Sequence, residues 1–332
     1  MTRRVLFIGG TGVISSAVAR EALAQGIELT VLNRGSGRRP LPPGVESLIA
    51  DVRDPAAMRA ALGGREFDAV VDWVAFTPEH VQADVDLFAG RTGQYVFISS
   101  ASAYLTPPAR MPIVESTPLK NPAWPYSRDK IACEDLLMRE FRDHDFPVTV
   151  VRPSHTYDET CVPFDAGWTF VERMRAGKEV IVHGDGSSMW TLTHSRDVAR
   201  GVVPLLADSR TIGEAYTVTS HDAPTWDDIA RTLAAAAGTE ARIVHVPSDQ
   251  IAAAHPAWGE ALLGDKTWNA LFDTSKLRGV VPDFVATTSF EEGAREIVAW
   301  HDADASRRVI DPVFDRLFDE LADRFRVPVA DR

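Results

Sequence analysis

The stretch RVLFIGGTGVISSAVAR, residues 4 to 20, constrains the fold more than any other. A short apolar run rich in Val, Leu, Phe and Ile passes at once into Gly9, Gly10 and Gly12, and these pass into a segment with helical spacing. Glycines at such a junction let the backbone turn tightly and approach a bound group. The free N–H groups and dipole of the helix N-terminus then stabilise a pyrophosphate. Strand, turn and helix in that order predict a dinucleotide cradle made by Gly9, Gly10, Thr11, Gly12, Val13 and Ile14. The last position of the usual fingerprint is Ser15 rather than Gly, although Ser15, Ser16 and Ala17 are all small.

The pattern that starts there continues. RVLFIG, ELTVLNR, VESLIAD, FDAVVDWV, QYVFIS and PVTVVRP each read as buried strands, and SSAVAREALAQG and PAAMRAALGG between them have helical spacing. The expected class is α/β, a Rossmann-type doubly wound parallel sheet with helices on both faces. After Pro153 the alternation weakens, and WTLTHSRDVARGVVPLL and EAYTVTS return to it. The expected organisation is a dinucleotide-binding domain of residues 1–153 plus about 184–220. A smaller, discontinuous C-terminal substrate domain takes about 154–183 and 221–332. At the end of the sequence, Asp311-Pro312 suits a cap and first helical position, with Val313, Leu317, Leu321 and neighbouring Phe residues on the inward face. This helix is read as docking on its own chain rather than as an oligomer seam, and a homodimer is left open.

Net charge excludes some partners. At -12, with a pI near 5.2, the chain is poorly suited to a nucleic-acid backbone or an anionic membrane. The two cysteines, Cys133 and Cys161, form neither a disulfide framework nor a metal spacing, and His80, His183 and His245 show no metal-ligand pattern. The expectation is no metal. The N-terminal apolar run is too short for a signal peptide, and a cytoplasmic protein is expected.

Three further groups of residues carry chemistry. VLNRGSGRR follows the second strand, where an acidic residue commonly holds a ribose 2'-hydroxyl; here Asn33 is neutral and Arg34, Arg38 and Arg39 are cationic, which favours a 2'-phosphate and hence NADP. Asp51 and Val52 follow the third strand, at a position that can line the adenine. Ser99, Ser100 and Ser102 emerge after the strand QYVFIS, at the edge where ligands bind in open parallel sheets. Finally, WPYSRDKIACEDLL places Tyr126 and Lys130 at i and i+4, on one face of a helix opened by Pro125. Along it Ile131, Leu136, Leu137 and Phe141 read as inward, and Glu134, Arg139 and Arg142 as outward. Spacing alone does not decide whether the Tyr-Lys pair is chemistry or helix surface.

Taken in order, GGTGVIS, DVRD, SSASAY, YSRDK, VVRPSHTY, HSRDVA and FDTSKLR resemble the extended short-chain dehydrogenase/reductase superfamily, in its NAD-dependent epimerase/dehydratase branch. The resemblance implies that Tyr126 is the general acid/base and that Lys130 lowers its pKa and holds the nicotinamide ribose. It also implies that Ser100 bonds the reacting oxygen, with Ser102 and His155 near substrate and Pro153 near cofactor. A neighbouring ammonium and the cofactor's positive ring would stabilise phenolate. His194 matches a position that supports the fold. Leu105 and Asp158 depart from the family pattern, which blurs the substrate. Ala101-Ser102 stand where 4,6-dehydratases carry an Asp-Glu pair, which disfavours dehydration. The implied function is NAD(P)-dependent hydride transfer at a secondary alcohol or ketone carbon of a sugar or sugar nucleotide, by an epimerase or a reductase. A ketoreductase of a non-sugar metabolite, a non-catalytic dinucleotide sensor and an RNA-binding relative are the alternatives. The intact set of Ser100, Tyr126 and Lys130 speaks against the sensor, and the acidic charge against RNA.

Overall fold

A computed structural model describes residues 2–37 and 39–326, so Arg38 lies outside the described residues. The six expected strands form, as β1 (Arg4–Ile8), β2 (Glu28–Asn33), β3 (Glu46–Ile49), β4 (Ala69–Asp72), β5 (Tyr95–Ile98) and β6 (Val148–Pro153). Beyond them come β7 (His155–Tyr157), β8 (Glu179–His183), β9 (Leu192–His194), β10 (Ala215–Val218) and β11 (Arg242–Val246). Seven strands join one sheet in the order β10-β6-β5-β4-β1-β2-β3, with every pairing parallel. Chain order runs outward in both directions from β1, so a crevice opens at the carboxyl ends of β1 and β4.

The strands alternate side chains between two cores, as a pleat requires. Val5, Phe7, Val31, Val71, Val96 and Val151 are buried on one face. Leu6, Ile8, Leu32, Val70, Phe97 and Val150 are buried on the other. Helices α1 (Val13–Ala24), α2 (Pro55–Leu62), α3 (Pro78–Phe88) and α4 (Pro125–His144) follow the first strands; α5 (Trp168–Arg175), α6 (Ser195–Val202), α7 (Trp226–Ala236), α8 (Ser248–Ala254) and α9 (Pro256–Ala261) come later. Helix α1 packs on α6. Short helix α10 (Ser275–Val280) brings Leu277 to the sheet core, where Val281 and Phe284 join it.

A third core holds Phe170, Val182, Trp226, Val244 and Trp258, with α5, α7 and the two-stranded sheet of β8 and β11 around it. The last helices, α11 (Phe290–Asp302) and α12 (Pro312–Phe325), pack there too. Asp311 caps α12 by accepting from Val313 N (2.8 Å) and Phe314 N (3.3 Å). The inward face of α12 is Phe314, Leu317, Phe318 and Leu321. Val313, read as inward from the sequence, is 49% exposed, because the buried stripe starts one residue later. No helix among the described residues is long and apolar enough to cross a membrane.

Candidate active site

Backbone geometry at the end of β1 requires glycine. Gly9 has φ +82°, and a Cβ there would lie 2.8 Å from Val74; at Gly10 it would lie 2.7 Å from Val31. Gly12 precedes α1, and its N–H donates to Ser15 Oγ at 2.9 Å. Ser15, the departure from the fingerprint, therefore closes the first turn of the helix. The segment Gly9 to Ser15 lines a cavity of about 470 Å³.

That cavity collects most of the residues singled out above. Its wall includes Ser100 and Ser102 beyond β5, Tyr126 and Lys130 on α4, Pro153 at the end of β6 and His155 at the start of β7. Ser127 Oγ donates to Ser102 Oγ at 2.7 Å, and Ser102 and Ser100 hydroxyls lie 2.9 Å apart, so a chain of hydroxyls orients Ser100. Trp124 and Phe76 flank Tyr126, with ring centroids 4.9 Å and 6.4 Å away. Burial pushes the Tyr126 phenol up to about 12, against the opposing effect of Ser100 and helped by the charge of Asp265.

Lys130 is buried, and its Nζ donates to Ala75 O at 2.7 Å and Ile98 O at 2.8 Å. It sits over the rings of Phe97 (4.7 Å), Phe76 (4.9 Å) and Tyr126 (5.9 Å). Burial lowers its pKa to about 8. Two carbonyls and three aromatic faces fix this ammonium in the wall of the cavity. His155 is held neutral, its pKa lowered to about 4 by burial, and its Nε2 has no protein partner among the described residues.

The adenosine-side positions lie apart from this cavity. Asn33 Oδ1 accepts from Gly35 N at 2.7 Å, and Arg34 is exposed. Asp51 is exposed, its carboxylate accepting from Arg53 N at 2.9 Å, and Val52 is partly buried against the core below β3. Arg39 is not free to meet a phosphate: it is paired with buried Asp158 at 2.9 Å and also bonds Thr160. This pairing gives the unusual Asp158 a structural task, tying the loop after β2 to the chain beyond β7.

Several contributors carry no local signal. Asn121 is buried; its Nδ2 donates to Ser102 O (3.0 Å) and Gly264 O (2.6 Å), and its Oδ1 accepts from Trp124 N (3.0 Å). One side chain thus joins the serine turn, the start of α4 and a late segment of the chain. The Asn-Pro pair at 121–122 reads only as a turn signal. Trp190 and Asp265 also line the cavity. Elsewhere, Glu159, His194 and Glu296 bring ligand atoms within 4.8 Å of one another, but Arg196 already holds both Glu296 oxygens, at 3.1 and 2.8 Å.

The residues fit a dinucleotide. The glycine turn opens on the cavity at a helix N-terminus, Lys130 supplies a fixed cation, and Trp73 Nε1, in the same wall, is a buried donor without a partner among the described residues. The family model for the NAD dependent epimerase/dehydratase family matches residues 5–219. The chain belongs to that family. A 2'-dehydrokanamycin reductase of Streptomyces kanamyceticus is 26% identical over 288 residues, covering 85% of this chain and 80% of the relative. A UDP-glucose 4-epimerase of Streptomyces lividans is 32% identical over 164 residues, 43% of this chain and 49% of the relative. Among solved structures, a UDP-glucose 4-epimerase from Bifidobacterium longum in complex with NAD+ and UDP superposes with a TM-score of 0.72 at 19% identity, covering 92% of this chain and 99% of that one.

Proposed function

We propose that this enzyme reduces a ketone to a secondary alcohol on a sugar-like substrate, with a reduced nicotinamide dinucleotide as the hydride source. The observation that carries the reading is the convergence of Ser100, Tyr126 and Lys130 on the cavity that begins at the glycine turn. The cofactor, when bound, supplies the hydride. Tyr126 gives its phenolic proton to the carbonyl oxygen, Ser100 donates a hydrogen bond to that oxygen, and Lys130 fixes the ribose and moderates the charge left on Tyr126. Residues 1–153 with about 184–220 would hold the dinucleotide, and 154–183 with 221–332 would supply the substrate side.

Reduction uses Tyr126 as a proton donor, and burial, which raises the phenol pKa, favours the protonated form that this role needs. The reductase relative also spans 85% of the chain, whereas the epimerase relative spans 43%. Epimerisation remains the second reading because that shorter match has the higher identity. The deciding assay follows absorbance at the reduced-nicotinamide band while candidate keto-sugars are added. Stoichiometric loss of the band supports reduction; retained dinucleotide with turnover and no net consumption overturns it.

Arg34 favours NADP over NAD in this reading, since it is the exposed cation next to Asn33 at the end of β2. Arg34→Ala is expected to narrow an NADP preference of about tenfold, the size of one charge-assisted bond. Titrating both dinucleotides into the parent and the variant checks this. Equal affinities in the parent would leave Arg34 as a solvated loop residue.

A further inference from the structure

Asp265 enters the cavity wall from a π-helical turn, Leu262–Lys266, that is fixed on both sides. Before it, Gly264 O accepts from Asn121 Nδ2 at 2.6 Å, and a Cβ on Gly264 would lie 2.5 Å from Trp124. After it, Lys266 O accepts from His183 Nε2 (2.9 Å), Ser188 Oγ (3.1 Å) and Trp226 Nε1 (3.2 Å). The Lys266 ammonium turns away to Asp165, at 3.1 Å. A single-turn π segment this firmly tied is a costly way to present one side chain, and such segments concentrate at functional sites.

Among the described residues, the Asp265 carboxyl meets no donor and no cation within bonding distance. It shares the cavity wall with Tyr126, whose phenol feels its charge, and with Trp124, Trp190 and His155. Trp190 Nε1 and His155 Nε2 are likewise buried without protein partners. Trp190 is only 4% exposed, so its N–H has no access to bulk water. Among the described residues the same wall contains no arginine, and its one lysine is Lys130, whose Nζ already serves two carbonyls. A nucleoside diphosphate would find a carboxyl here and no arginine clamp.

We propose that Asp265 recognises a protonated amine on the substrate, so that the reduced compound is an amine-bearing sugar rather than a sugar joined to a nucleotide. The proposal rests on the reading of this cavity as the substrate site of a reductase. A carboxyl and aromatic faces in one cavity suit an ammonium group, and the Trp190 and His155 nitrogens suit sugar hydroxyls. Burial raises the Asp265 pKa to about 8, so without a counter-charge it favours the neutral form, and an arriving ammonium lets it ionise.

The test is calorimetric binding to the full chain of three probes: neamine, its fully N-acetylated form, and UDP-glucose. Neamine is expected to bind at least about tenfold more tightly than either of the others, and Asp265→Asn to remove most of that preference. Equal affinity for neamine and its N-acetylated form, or tighter binding of UDP-glucose, overturns the proposal. The comparison on the parent protein stands even if the variant fails to fold. Because no turnover is read, failure of hydride transfer to any keto-sugar would sink the reductase reading in a separate assay, leaving the amine preference to be judged alone.

Discussion

Tyr126→Phe is expected to lower turnover by about 10²-fold or more while leaving the fold and dinucleotide affinity nearly intact, since general acid catalysis contributes roughly 10²–10⁴. The substitution removes one oxygen. The ring keeps its place between Trp124 and Phe76, so packing hardly changes. Steady-state rates with a keto-substrate, paired with a dinucleotide titration, separate the two effects. Turnover within threefold of the parent would remove Tyr126 from the chemistry. A loss of dinucleotide affinity to match the rate would make it a binding residue.

The largest effect on stability is expected at Glu134, one turn beyond Lys130. Glu134 and Arg152 are both buried, with Arg152 Nε at 3.0 Å and 3.2 Å from the two carboxylate oxygens, and Ser99 Oγ donates to the same carboxylate. Arg152 also lies over the ring of Tyr104, 4.8 Å from its centroid. Glu134→Ala would strand a guanidinium in the interior, at a cost of about 3–5 kcal/mol. For a chain of this size that corresponds to a fall in Tm of about 4–7 °C. The double replacement Glu134→Leu with Arg152→Leu should recover much of the loss, because no charge is then left alone. Thermal unfolding of both variants checks the pair; a single variant that melts within 2 °C of the parent would show that water reaches Arg152.

Glu134 also shows where local reasoning stops. Charge alone assigns it to the outer face of α4, yet it follows Tyr126 and Lys130 at i+8 and i+4, on the side that turns inward. Its partner stands at the end of β6, out of reach of any window along the helix. The strands were legible because a parallel sheet covered on both faces demands near-continuous Val and Ile, and six short runs of them admit little else. The glycine turn, the serines and the Tyr-Lys pair were legible because each is a compact motif whose residues converge at one edge of that sheet. Asp265, Trp190 and Asn121 were not, since their roles come from contacts between distant segments. Arg39 was misjudged for the same reason: the buried carboxylate that claims it, Asp158, lies far along the chain.

The late return of Leu277, Val281 and Phe284 to the sheet has a consequence during synthesis. Their neighbours there include Val198, Val202 and Val218, and a Cβ on Gly201 would lie only 2.6 Å from Val218 and 3.0 Å from Phe284. Although β1 to β6 are all synthesised by residue 153, and α1 and α6 cover much of this face, the part of it beside α6 and β10 stays uncovered until the chain has grown past Phe284. For that interval the nascent protein presents an apolar patch there, the kind of surface that chaperones bind and that drives aggregation. Fragments ending before α10 should therefore be recovered mainly with holdases or in inclusion bodies, even though they contain every strand of the large sheet.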